Sequence, residues 1–193
     1  MKYTTPLKIE EYMMIEIEPS FEPVVERWIE AVSRMMDKYT NRTLVADPAD
    51  VTRYFNGDGK DVFFPDDILS ITELKVGDEY GDNLVAVTGY GIYPKGGNEP
   101  VRQITLRSGS FTKGLQNIEL KGKFGLFIET PADIELCATM LTAEIIKPSL
   151  PKVDTDIKSE SIGNYSVTYT DIKSVPGSER FTQMLDPYKL ITL

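Results

Sequence analysis

Asp66 and Asp67 are the first residues to test for chemistry, because two carboxylates side by side are the minimum for general acid–base work. Such a pair must face one substrate, and neighbours on an extended chain point to opposite sides. FPDDIL therefore reads as a turn displaying two surface carboxylates. The stretch NGDGKD, residues 56–61, has the outline of a calcium loop but lacks the glycine at position 6 and the glutamate at position 12. A β-turn between VTRYF and VFF accounts for it. GYGIYPKGG has no Walker lysine-threonine and no following helix, so it makes no phosphate cradle. Cys137 falls on an apolar helical stripe, which makes it core and not nucleophile. The pairs Met13-Met14 and Met35-Met36 read as packing. The chain contains no histidine, which removes Ser-His-Asp and Cys-His catalysis and the commonest transition-metal ligand. No catalytic residue, cofactor or metal is expected.

The chain has 193 residues, 41% of them apolar and 26% charged, enough to bury a core in one domain carrying a sizeable insertion. No apolar run approaches the length of about 18 residues that marks a membrane span, so no membrane partner is expected. The start, MKYTTPLKIEEY, lacks the apolar core of a secretory signal, and the single cysteine fits synthesis in a reducing cytoplasm. Thirty acidic residues against 21 basic ones give a net charge of −9, a poor balance for general affinity to phosphate backbones.

The expected fold class is α+β: a small helical bundle with long helices at about 20–39 and 131–147, an inserted antiparallel β-rich region at about 42–128, and an extended arm with a short helix over 148–193. In the first long helix Val24, Val25, Trp28, Ile29, Val32, Met35, Met36 and Tyr39 fall within one arc of about 140°. Ser20 is its expected N-cap. A shorter helix opens at Thr5-Pro6 and runs to about Tyr12, after which MIEIEP alternates and looks extended. Across the middle, TLVA, VTRYF, DVFF, SITELKV, NLVAVT, RQITLR and NIELK read as short strands between Gly, Asp, Asn and Pro clusters.

The second long helix, with Thr130 as expected N-cap, carries two apolar stripes. Ile134, Cys137, Ala138, Leu141 and Ile145 form one, expected to pack on Trp28, Ile29 and Val32. Leu136, Met140 and Ala143 form the other and need a second partner, either the β-region or a neighbouring subunit. Beyond Pro148 the chain turns polar, and within it Ile162, Tyr165, Val167 and Tyr169 alternate like a strand awaiting an edge. Phe181, Met184 and Leu185 then form the apolar side of a short terminal helix, a candidate anchor for docking. One local charge anomaly remains. Arg102, Arg107, Lys113, Lys121 and Lys123 face only Glu119 between Val101 and Gly125, a local +4. It reads as solvated strand faces or as a contact surface for an acidic partner, a neighbouring copy or DNA.

The order WIEAVSRMMDKYTNRTL, TRYFNGDGKDVFFPDDILSITELKV, FTKGLQNIELKGKFGLFIETPADIELCATMLTAEI, SESIGNYSVTY and MLDPYKL resembles the head–tail connector (adaptor, or head-completion) proteins of long-tailed bacteriophages, from about Tyr12 to Leu193. Phe124 stands where that family usually has tryptophan before the glycine. The resemblance implies a structural virion protein in the neck, assembled as a ring of about a dozen copies beneath the portal protein. Such a ring continues the channel for passing double-stranded DNA and offers a platform to the stopper or tail. It also implies that the stripe on Leu136, Met140 and Ala143 meets the next protomer, and that the arm orders on docking. Another tail or baseplate binding part, or a carboxylate-dependent glycoside hydrolase, are the alternatives from other classes. The purified protein is expected to show no turnover on cell-wall polysaccharide, nucleotides or esters. Turnover abolished by Asp66→Asn or Asp67→Asn would overturn the structural reading.

Overall fold

The computed structural model describes residues 1–95, 99–150, 172 and 177–190. The fold is mixed, with α-helices and antiparallel sheets in two compact units. One comprises Met1–Asn41 with Pro131–Leu193, and the other Arg42–Thr130.

The first unit is helical. α1 (Pro6–Met13) starts on Thr5, whose hydroxyl accepts the Lys8 backbone N–H, with proline in the first turn where its missing donor costs nothing. Extended MIEIEP does not form a strand. Met14 closes α1 in the left-handed region, and the Glu10 carboxylate accepts the Ile17 N–H at 2.8 Å, turning the chain back. α2 (Glu22–Thr40) begins two residues after Ser20. Phe21 is its N-cap, with no side-chain bond, and Asn41 ends it with φ of 54°. α3 (Ala132–Ile146) has Pro131, not Thr130, at its cap. α4 (Ser178–Leu185) closes the unit. Of the four α-helices among the described residues, two are only eight residues long, so a bundle of long helices does not describe the unit.

α3 is the axis of this unit, and that resolves its two stripes. Ile29 shares a buried cluster with Ala143 and Ile146 of α3, joined by Ile9, Ile17 and Val25. On another side the Cys137 Sγ lies 3.9 Å from the Phe181 carbonyl of α4, and Arg180 reaches Glu144 at 2.8 Å. The first stripe thus meets α4 through Cys137, and of the second stripe only Ala143 is covered within this chain. The N-terminal segment is stitched on by polar contacts. Tyr3 N–H donates to Ser33 Oγ at 3.0 Å, Tyr3 Oη to Asp37 at 2.5 Å, and the Thr4 and Thr139 hydroxyls meet at 2.6 Å.

The second unit holds two antiparallel sheets. Its strands are β1 (Val51–Gly57), β2 (Val62–Phe63), β3 (Ile68–Val76), β4 (Val85–Ala86), β5 (Tyr90–Tyr93), β6 (Gln103–Leu106) and β7 (Gly114–Phe124). The orders are β1-β7-β3-β4 and β2-β6-β5. NGDGKD therefore does not close a hairpin, because β1 pairs with β7 while β2 pairs with β6. GYGIY, unassigned from sequence, supplies β5. Ile68, Leu74, Ile104, Phe111, Ile118 and Leu120 are fully or almost fully buried in the core of this unit. Phe55 stacks edge-on against Phe63, with ring centroids 5.1 Å apart.

Two glycines in the second unit are demanded by close approach. A Cβ on Gly57 would lie 1.9 Å from the Thr112 carbonyl oxygen, at a bulge in β1. A Cβ on Gly122 would lie 1.9 Å from the Ser70 oxygen, where the β3–β7 register shifts on either side of Ser70–Ile71. The start and end of the unit are held together as well. Leu126 N–H donates to Thr43 O, Phe127 N–H to Leu44 O and Ala46 N–H to Phe127 O, each at 2.9 Å. Arg42 forks onto Asp67 with bonds of 2.5 and 2.7 Å. Asp67 is thus no solvated turn carboxylate: its side chain is only 13% exposed. Gly122→Ala should destabilise the chain by about 2–3 kcal/mol through forced displacement of β3, measured by urea unfolding. A change within experimental error would show that the two strands part freely there.

Candidate functional site

The basic stretch falls largely on β7, and strand alternation sorts it. Ile118, Leu120 and Phe124 point into the core, and Glu119, Lys121 and Lys123 point outward. The register sets Tyr54, Glu119 and Lys75 in one row and Thr52, Lys121 and Glu73 in the next, with Lys123 opposite Ser70. Lys75 Nζ lies 2.8 Å from Glu119 Oε1 and 2.9 Å from Glu73 Oε2. The hydrogen bond from Lys75, assisted by one from Tyr54, holds the Glu119 carboxyl below the ordinary glutamate range. Hydrogen bonds to Glu119 and Glu73 in turn hold the Lys75 ammonium above its usual value.

Arg102 and Arg107 belong to the other sheet, flanking β6. Their backbone N–H groups donate to Tyr93 O and Gly89 O, each at 2.9 Å. Lys113 precedes β7 in an exposed loop. Five cations close in sequence are therefore spread over two sheets, and the two on β7 share their face with Glu73 and Glu119. Asp66, the remaining member of the acidic pair, bonds to Arg53 at 2.7 Å, and the Arg53 guanidinium lies 4.4 Å over the Phe124 ring. The Phe124 ring is thus capped by a cation.

In the helical unit Leu136 is 48% exposed and Met140 partly so, but Ala143 is 4% exposed and packed against α1. Ala143 is therefore core, and only Leu136 and Met140 remain as surface from that stripe. Beside Leu136 runs an open cleft of about 390 Å³, lined by Lys8, Glu11 and Tyr12 of α1 and Ala132, Glu135 and Thr139 of α3. Lys8 bridges to Glu135 at 3.1 Å across it. Exposed Tyr12 and Leu136 give it its apolar character, and Leu7 of α1 is exposed as well. Sequence periodicity missed α1 as part of this surface. The signal was there in two large apolar residues on the helix's solvent side.

Ile162, Tyr165, Val167 and Tyr169 lie outside the described residues. The anchor expected from the terminal helix is corrected: Phe181 and Leu185 are fully buried in their own chain, leaving only Met184 partly accessible. A side chain covered by its own α3 has no surface to offer a partner. Burial, and then the nearby charge of Asp133, push the Cys137 thiol up to about 12, which leaves it protonated and inert. Among the described residues no three or more His, Cys, Asp or Glu gather as a metal site, and no helix is long and apolar enough to cross a membrane.

No protein-family model matches the chain, and no curated protein matches it. Solved structures do. A chain from the neck of an empty gene transfer agent (GTA) particle, computed with C6 symmetry, superposes with a TM-score of 0.56 at 10% identity, covering 92% of this chain and 82% of that one. A chain from the neck of the native GTA particle computed with C12 symmetry gives a TM-score of 0.55 at 10% identity, covering 90% and 86%. A chain from the virion of the native particle gives 0.56 at 10% identity, covering 89% and 79%. At this identity the likeness is one of fold, and it spans both units.

The Glu119 carboxyl titrates lower in the folded chain than in the unfolded one. Its contribution is complete above the ordinary glutamate value of 4.5 and is lost as pH falls through the depressed folded value. Glu119→Gln should lower Tm at neutral pH, and the gap to the parent should close on acidification. A gap that is constant with pH would mean that the Lys75–Glu119 bridge adds nothing.

Proposed function

We propose that the protein is a structural component of the neck of a phage-like particle, acting as a head–tail connector. The observation that carries this reading is fold similarity over 92% of the chain to a protein in a GTA particle neck. The order of sequence blocks that resembles bacteriophage adaptors supports it independently. On this reading the chain assembles as a ring of about a dozen copies, in keeping with the C12 symmetry of one such neck. The ring sits below the portal protein, continues the DNA channel and receives the stopper or tail. Its function is to hold surfaces in register, and it has no catalytic step.

The residues assigned to that task are modest in number. Leu136 and Met140 contact the next copy or a neighbouring neck protein. Lys121 and Lys123 on the outer face of β7, and Arg102, Arg107 and Lys113 elsewhere in the β unit, serve acidic neighbours or the passing duplex without reading its sequence. The segment holding Ile162, Tyr165, Val167 and Tyr169 docks on the portal or an adjacent copy by adding a strand.

The test is reconstitution with portal protein, followed by native mass spectrometry. The parent chain should add to the portal as a ring. Leu136→Asp and Met140→Asp should stay folded by circular dichroism yet fail to complete it. Normal rings from both variants would remove the α3 surface from the interface. Unfolding of Met140→Asp would make that position core.

A further inference from the structure

A ring of identical subunits needs two different, complementary surfaces on each copy, one meeting the other head to tail. The β unit carries two separate sites where large apolar side chains stand in solvent.

The first is a tip at one end of the four-stranded sheet, where the β3–β4 loop lies against the start of β7. Tyr80 is 79% exposed and Leu115 is 70% exposed. The backbone beneath them is tightly fixed. Leu115 N–H donates to Glu79 O at 3.2 Å and Gly77 N–H to Asn117 O at 2.7 Å. Fully buried Asn117 accepts the Gly57 N–H and donates to Thr112 O, each at 2.8 Å, so three loops share one hub. Asp78 gathers the loop further, accepting from the backbone N–H groups of Tyr80 and Asp82 at 3.0 Å and from the Asn83 amide at 2.9 Å. An exposed aromatic on a preordered loop has little entropy left to lose on binding. Asp78, Glu79 and Asp82 border it against one cation, Lys113, two residues before Leu115, so this tip is net acidic.

The second is the outer face of the three-stranded sheet. Phe63, Ile104 and Ile92 share one row and face the core. The next row, by alternation, sets Phe64 and Tyr93 on either side of Gln103. Phe64 is 70% exposed and Tyr93 66% exposed. A side chain added at Gly91 would meet nothing within 4 Å, so the floor beside them is open. Arg102 lies next to Tyr93, its N–H bonded to the Tyr93 carbonyl at 2.9 Å, and is exposed.

We propose that the Tyr80–Leu115 tip of one copy packs on the Phe64–Tyr93 face of the next, with Glu79 and Asp82 set toward Arg102. Setting Glu79 and Asp82 against Arg102 favours this pairing over tip-to-tip contact, which places the acidic residues of two copies together. The contact rests on the neck-ring reading and specifies which surfaces of the β unit close the ring.

Tyr80→Asp and Phe64→Asp variants of the full chain, checked for native circular dichroism, test it by native mass spectrometry of portal-supported rings. Each variant alone should lose ring assembly. Mixed, they should form dimers that go no further, because the intact tip of one can meet the intact face of the other. Arg102→Glu should weaken assembly at least tenfold, and Glu79→Arg in the same chain should restore much of it. Rings unaffected by these variants, or single-variant defects with neither dimers on mixing nor charge-swap rescue, would overturn this contact and leave the neck reading standing. Failure of the parent chain to form any ring would overturn both.

Discussion

An insertion can leave and re-join a helical scaffold only if its two ends are brought side by side, and here that closure is made explicitly. Thr43–Ala46 and Leu126–Phe127 exchange three backbone hydrogen bonds, including a parallel bridge between Val45 and Phe127. Arg42, at the first position of the β unit, forks onto Asp67 with both side chains largely out of water. A charge pair in such surroundings contributes little net stability compared with an apolar isostere. Removing one partner strands the other, a cost of about 3–5 kcal/mol. The bond is therefore a register pin. Asp67 leads into β3, its own carbonyl accepts the Gly125 N–H, and β3 and β7 form the central pair of the larger sheet.

From that pair the rest of the β unit follows. β7 is the longest strand and borders both β1 and β3, so whatever fixes β7 fixes the sheet. Its glycines are small because neighbouring backbone passes close, and its one buried amide, Asn117, satisfies donors and acceptors that the bulges in β1 and the loop before β7 would otherwise leave bare. A stretch organised this tightly with no reactive group is suited to holding a surface in shape. Of its outward side chains Glu119 is paired across the sheet with Lys75 of β3, which also reaches Glu73.

The helical unit solves a different problem. α3 is apolar almost all round, and each side is covered by a separate neighbour: α2 and α1 around Ala143 and Ile146, and α4 against Cys137. Tyr3, itself almost fully buried, and Thr4 add the N-terminal segment through polar bonds to α2 and α3. Little apolar surface on α3 is left over, chiefly Leu136 and part of Met140.

Local physics was legible in the sequence wherever a segment could be judged by its own period. The amphipathic arc of α2 and the proline-opened α1 were readable within a residue or two. So was most of the strand grammar, because spacing along one element needs no knowledge of any other. The missing histidine and the lone mid-helix cysteine likewise settled, without coordinates, which chemistries lacked their groups. Pairing was not legible. Nothing local distinguishes NGDGKD as a hairpin turn from NGDGKD as a crossing between two sheets, since the register is set by β7 and β6 some 50 residues away. Nor could periodicity say that Ala143 meets Ile9 or that Phe181 and Leu185 turn inward. A helix wheel shows which sides are apolar and is silent on whether the cover comes from the same chain. Five cations close in sequence looked like one patch, and strand alternation together with a change of sheet pulled them apart. Burial and partnership are properties of the packed chain, and only the tertiary structure decided them.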